Sequence, residues 1–235
     1  PLQIHGTLTP SLFYNHLISL SLNRSSIHSA RKTFQKFRSE TTLHYHLKKF
    51  DMPTLIDQSF ELLWSTAAPI LSPKKSYEFA IDYTHDPYYG DIDEKNEGYI
   101  IKAQRKKSTY KFYTYATLSV VTKNEKLVLG VLPVQKGHGV EEYVGKLLES
   151  LERHQIKPEV IYLDGGFYGR PVMKLLMEKE MPFIIPMPNK RGKIRNIIQK
   201  SKKKTVLPYT IGAHTSNKLT ITMGIIVKRP PKEGK

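Results

Sequence analysis

Two aspartates stand where chemistry is expected. Asp164 closes the apolar run Val160-Ile161-Tyr162-Leu163 and is followed by Gly165-Gly166; Asp82 closes a mostly apolar run that starts at Tyr77. Four apolar residues without alternation are the pattern of a strand buried on both faces. A carboxylate at the end of such a strand is costly without a partner or a metal, and the glycines let backbone or ligand come close to it. Two carboxylates a few ångströms apart repel, and a divalent cation resolves the repulsion. Oxygen-only ligands favour Mg²⁺ or Mn²⁺ over zinc. Two such ions about 3.5–4 Å apart clamp the attacking and leaving oxygens of an in-line phosphoryl displacement. The expected site is therefore Asp82 and Asp164, serving as metal ligands and catalytic groups together. Either aspartate alone is as readily a strand-end or helix-capping residue; the pair on matching strands favours the site.

The elements that must deliver them follow in order. Tyr77 to Thr84 is a strand, and a polar, acidic excursion follows it, running on to a basic patch at Lys102, Arg105, Lys106 and Lys107. Lys111 to Val121 alternates, with Phe112, Thr114, Ala116, Leu118 and Val120 on one face. Leu127 to Val134 is a third strand after a polar hairpin turn. Val140, Tyr143, Val144, Leu147, Leu148 and Leu151 recur at helical spacing. The strand ending at Asp164 comes next, then a helix opening at Pro171 and a short strand over 182–186. Three strands in succession form an antiparallel meander, and a strand reached through a helix lies parallel to its neighbour. This α/β order, with a mixed sheet, is that of a ribonuclease H-like domain, in which the first and fourth strands lie side by side.

Charge points to the partner. The 235 residues carry 37 Lys and Arg against 21 Asp and Glu, a formal +16. From Asn189 to Lys235 there are 13 Lys and Arg and one acid, Glu233, so +12 of that surplus sits in the last fifth of the chain. A polyanion, nucleic acid ahead of membrane, is the expected partner. Lys190, Arg191, Lys193, Arg195, Lys202, Lys203 and Lys204 are the expected phosphate-tracking residues, with a disordered lysine tail as the alternative. Upstream, 11–22, 27–38 and 41–50 read as three short helices, the last presenting His44, His46, Lys48 and Lys49 outward. That arrangement fits a helix-turn-helix with Lys48 and Lys49 on DNA, and an ordinary helical bundle equally. Asp51-Met52-Pro53 opens a fourth helix anchored by Trp64. The expected division is a helical DNA-binding region over 1–72, a catalytic core over 77–188 and a basic, β-rich segment over 189–235.

The composition also excludes. Zero cysteines remove disulfides, thiolate zinc sites and cysteine nucleophiles. No apolar run is long enough to span a bilayer, so no membrane association is expected, and the reading is a cytoplasmic, nucleoid-associated protein. The chain opens on Pro1, and its natural start is expected upstream.

The residues around both aspartates carry a resemblance. Ala80-Ile81-Asp82 with Tyr88-Tyr89-Gly90, and more specifically Leu163-Asp164-Gly165-Gly166-Phe167-Tyr168, resemble the motifs of DDE transposases of the insertion-sequence type, in the group with a β-rich insertion. The resemblance covers about 77–188 well and the flanks loosely. It implies metal-dependent DNA cleavage and strand transfer at the ends of a mobile element, by a homo-oligomer assembled on DNA. The family completes its site with a glutamate in a Tyr-Arg-Glu-Lys-like signature. No such signature follows Ile185, and Glu233 lies in turn composition. The third acid is expected outside this chain, as in one half of an interrupted gene; a site of two carboxylates is expected to bind metal weakly and to be catalytically crippled, with an inactive fragment as the extreme case. The alternatives are a ribonuclease H-like nuclease that cuts without joining, and a DNA-binding regulator with vestigial carboxylates.

Overall fold

The computed structural model describes residues 8–33, 39–71, 76–122, 126–188, 193–201, 203–213, 215–216 and 218–226. They fall into two compact units, Pro1–Ser59 and Phe60–Lys235.

The first unit holds α1 (Pro10–Leu22), α2 (Ile27–Thr33) and α3 (Glu40–Leu47). Thr9 caps α1, its hydroxyl accepting the Leu12 N–H at 3.2 Å with Pro10 in the first turn, the pairing that satisfies helix-start donors. Leu8, Phe13 and Leu43 form its buried centre, with Leu17, Ile27 and Phe50 packed against them. The expected second helix is observed to Thr33, and 34–38 lie outside the described residues. One expectation is corrected here. His46 does not face outward with His44 but is 2% exposed, its ring edge-on to Phe13 at 6.0 Å. With Leu43 at i−3, His46 falls on the inward stripe of α3. α4 (Met52–Ala67) opens on Asp51, whose carboxylate accepts from the Thr54 N–H and hydroxyl.

The second unit is built on a six-stranded mixed sheet of β1 (Tyr77–Pro87), β2 (Ile100–Lys106), β3 (Thr109–Val121), β4 (Lys126–Pro133), β5 (Pro158–Leu163) and β6 (Phe183–Ile184). β1 pairs antiparallel with one edge of β3; β2 and β4 share its other edge. On its far side β1 pairs parallel with β5, and β5 parallel with β6. Leaving β2 aside, the order β4-β3-β1-β5-β6 is the ribonuclease H-like arrangement. α5 (Val140–Arg153) and α6 (Arg170–Glu178) provide the crossovers.

The core lies on one side of this sheet. Phe79, Ile81, Phe112, Leu118, Ile161 and Leu163 are buried with Val144, Leu147, Leu148 and Leu151 of α5. Phe60 and Trp64 join them: Trp64 stacks on His154 at 3.9 Å. Gly130 is a glycine because the Phe60 ring takes the space of a side chain, 2.5 Å from where a Cβ would sit.

β5 differs from expectation. Ile161 and Leu163 are buried, but Val160 and Tyr162 are half-buried, so the strand is covered well on one face only. Its register also breaks once: Tyr77 pairs with Pro158, but Glu78 pairs with Val160, so Glu159 is an extra residue on β5.

Two elements were not foreseen. β2 falls in the stretch expected only as a basic patch, where Lys102, Gln104, Arg105 and Lys106 leave no apolar alternation to detect. α7 (Lys193–Lys200) forms within the basic segment, where Ile194, Ile197 and Ile198 supply an inward stripe at i, i+3 and i+4. The hairpin of β7 (Thr205–Ile211) and β8 (Leu219–Ile225) follows as expected. Among the described residues no helix is long and apolar enough to cross a membrane.

Candidate active site

The parallel register decides where the two aspartates fall. Ile81 pairs with Leu163, both buried on the core face. One step past that pair come Asp82 on β1 and Asp164 at the end of β5, and both are exposed. The structure thus brings together the two residues expected to meet.

Each carboxylate is already oriented. Asp82 Oδ1 accepts the Tyr83 N–H at 2.8 Å, and its carbonyl accepts from the Thr117 hydroxyl of β3 at 3.2 Å. Asp164 caps the short 3₁₀ turn Gly165–Phe167, its Oδ1 accepting the Gly166 N–H at 2.7 Å. A Cβ at Gly166 would stand 2.9 Å from that same oxygen, so a side chain there would crowd the capping carboxylate. In both residues one oxygen is spoken for and the other remains for a hard cation. The donor chemistry fits Mg²⁺ or Mn²⁺. Two carboxylates are still a partial ligand set, and among the described residues no group of three or more His, Cys, Asp and Glu is arranged to hold a metal ion.

The floor of the site is aromatic, and sequence reasoning missed it. Phe167, 1% exposed, stacks on Tyr83 with ring centres 4.3 Å apart. His85 shares a hydrogen bond with the Thr114 hydroxyl at 2.9 Å. Tyr83 and His85 alternate with Asp82 and so turn toward the core side, which period-2 reading of β1 would have flagged. Burial lowers the His85 pKa, as does Lys106, while Asp164 and Asp82 pull it back up. Both aspartates thus act on one side chain. Burial, then Tyr143, Asp164 and Glu141, raises the Tyr83 phenol to about 12. A raised phenol pKa favours the neutral form in the folded state. Its stabilisation is complete below pH 10 and is lost as pH rises through about 12. Thermal melts of the chain should fall more steeply across that window than those of Tyr83→Phe.

The expected DNA-binding residues are dispersed. Lys48 and Lys49 are exposed in the first unit, Lys49 Nζ 4.2 Å from the Tyr45 ring centre. Arg195, Lys203 and Lys204 are exposed in the second. Lys193 opens α7. Lys190, Arg191 and Lys202 lie outside the described residues. Thr215, between β7 and β8, is tied to the start of α6, where Arg170 Nη1 donates to its hydroxyl at 3.1 Å.

Residues 73–225 match the family described as Transposase DDE domain. The chain belongs to that family. No curated protein sequence matches it. Among solved structures, this DDE domain is similar to a piggyBac transposase synaptic complex with hairpin DNA, at TM-score 0.49 and 14% identity over 85% of this chain and 46% of that one. It is also similar to the Drosophila P element transposase strand transfer complex, at TM-score 0.45 and 13% identity over 79% and 42%. A pre-cleavage Mos1 transpososome follows at TM-score 0.29 and 10% identity, over 77% and 61%. The chain spans about half the length of the first two proteins.

Proposed function

We propose that this chain is the catalytic part of a transposase that cuts and joins DNA at the ends of a mobile element. The observation that carries the reading is the β1–β5 register, which puts Asp82 beside Asp164 in a domain of the DDE family. A divalent cation held there would supply electrostatic stabilisation of the scissile phosphate and activation of a water or 3′-hydroxyl. The chain's own part is orientation. The Tyr83 and Gly166 N–H groups fix the two carboxylates, and the Phe167–Tyr83 stack holds the turn that carries Asp164. Lys48 and Lys49 on the helical unit, and the basic residues from Lys190 to Lys204, engage phosphates, with two or more copies assembled on paired ends.

With two carboxylates the expected cutting is slow, and a longer product carrying the family's glutamate helix is expected to be faster. The test is incubation of the chain with Mn²⁺ and end-labelled DNA from the borders of its own element, scoring nicked and joined strands on denaturing gels. Metal-dependent nicking and joining at the element border is the expected result. Specific binding to that border without any metal-dependent strand breakage would sink the proposal in favour of a regulator.

A further inference from the structure

The β2–β3 hairpin presents a set of cations that neither the aspartates nor the helical unit accounts for. Its two strands meet through Lys107 and Ser108, both at positive φ, 47° and 66°. That is the geometry of a two-residue type I′ turn, which ordinarily takes Asn-Gly. Keeping lysine and serine there carries a backbone cost, of the kind that gathers where a side chain must be presented. Lys102, Arg105, Lys106 and Lys107 are exposed, and the chain has no acid between Gly98 and Val121. Among the described residues none of the four is in an ion pair. Two exposed tyrosines are interleaved with them. Lys102 Nζ stands 5.8 Å from the Tyr110 ring centre, and the Tyr89 hydroxyl donates to the Lys107 carbonyl at 2.8 Å. Cations set beside exposed aromatic rings on a hairpin suit a nucleic-acid strand.

The hairpin also belongs to the same sheet as the aspartates. β3 lies against Asp82 at Thr117 and runs back to the turn at Thr109. At about 3.3 Å per residue that stretch covers about 26 Å, or about eight base-pair steps of DNA. Lys106 is close enough to His85 to oppose the effect of Asp82 and Asp164 upon it.

We propose that the β2–β3 hairpin is a DNA clamp, holding backbone phosphates about five to eight base pairs from the bond that Asp82 and Asp164 address. The proposal rests on the DNA-cutting function above and adds a surface to it.

The chain has no cysteine, so Lys107→Cys gives a single thiol on the full chain. The probe is a duplex with a free 3′-hydroxyl end and disulfide-forming tethers stepped inward from that end. Crosslinking is expected to peak about five to eight base pairs in, and Glu149→Cys, exposed on α5, should crosslink poorly everywhere. Changing Lys102, Arg105, Lys106 and Lys107 to Gln should flatten the slope of log affinity against log salt for random-sequence duplex, by about 0.9 for each phosphate released. If that variant does not fold, the single-cysteine crosslink decides alone. A chain that crosslinks as expected but never cuts supports the clamp and removes the cutting chemistry. A chain that cuts, yet shows no Lys107→Cys preference over Glu149→Cys, overturns the clamp alone. No DNA binding at all overturns both.

Discussion

Alanine at Asp164 is expected to remove metal-dependent cutting of element-end DNA, and alanine at Asp82 to do the same. Electrostatic stabilisation by a bound metal amounts to several kcal/mol of transition-state energy. Losing about 4 kcal/mol lowers the rate on the order of 10³-fold. Single-turnover cutting in Mn²⁺ measures the loss, and Mn²⁺ titration followed by electron paramagnetic resonance measures weakened binding independently of rate. The two variants should differ in stability. Asp164→Ala loses the cap on the Gly165–Phe167 turn, at a cost of about 1 kcal/mol. Asp82→Ala removes one of two neighbouring like charges, and relief of that repulsion should leave stability unchanged or raised. Full cutting by either variant would show that the aspartates do not carry the chemistry.

Alanine at Phe167 has the largest expected effect on folding. The ring is buried beneath the turn that aims Asp164 and stacks on Tyr83. Truncating a buried Phe to Ala costs about 3–5 kcal/mol, through lost burial and the cavity left behind. The midpoint of urea unfolding should fall accordingly. Phe167→Leu refills most of the space and should recover a large part of the loss. Because the Asp164 cap is built on the same turn, Mn²⁺ affinity should weaken in Phe167→Ala with both carboxylates still present. If Phe167→Ala keeps wild-type unfolding and wild-type Mn²⁺ binding, the aromatic floor does not support the site. The two predictions therefore separate: the aspartate changes abolish cutting with small changes in stability, and the Phe167 change lowers both.

The sequence read well where a single period dominates. The alternation of Phe112, Thr114, Ala116, Leu118 and Val120 and the helical spacing of Tyr143 to Leu151 are both buried as expected. The meeting of Asp82 and Asp164 follows from matched strands joined through a helix. What escaped has no periodic signature. β2 forms because its backbone pairs with β3, whatever its side chains, so a row of cations conceals it. α7 was hidden by the lysines on either side of its isoleucines. The open face of β5 escaped because continuous hydrophobicity cannot tell a strand covered on both faces from one covered on one. His46 was misplaced because a histidine between Tyr45 and Leu47 gives no polarity contrast to orient it. Phe167 was overlooked for another reason: its role at the site comes from its stack on Tyr83, which spacing does not encode.

The extra residue in β5 has a consequence for which changes this protein tolerates. Above Glu159 the strands are offset so that Tyr77 meets Pro158; beyond it the offset grows by one, and Ile81 meets Leu163. Had the first offset persisted, Asp82 would stand beside Leu163, with Asp164 turned to the other face of the sheet. The bulge is thus the gauge that sets the spacing of the two acids. An in-frame deletion of Glu159, in a surface-exposed position several residues from any chemistry, would be as damaging as replacing an aspartate, while substitution of its side chain would pass almost unnoticed. At this position length, and not identity, is the constrained quantity.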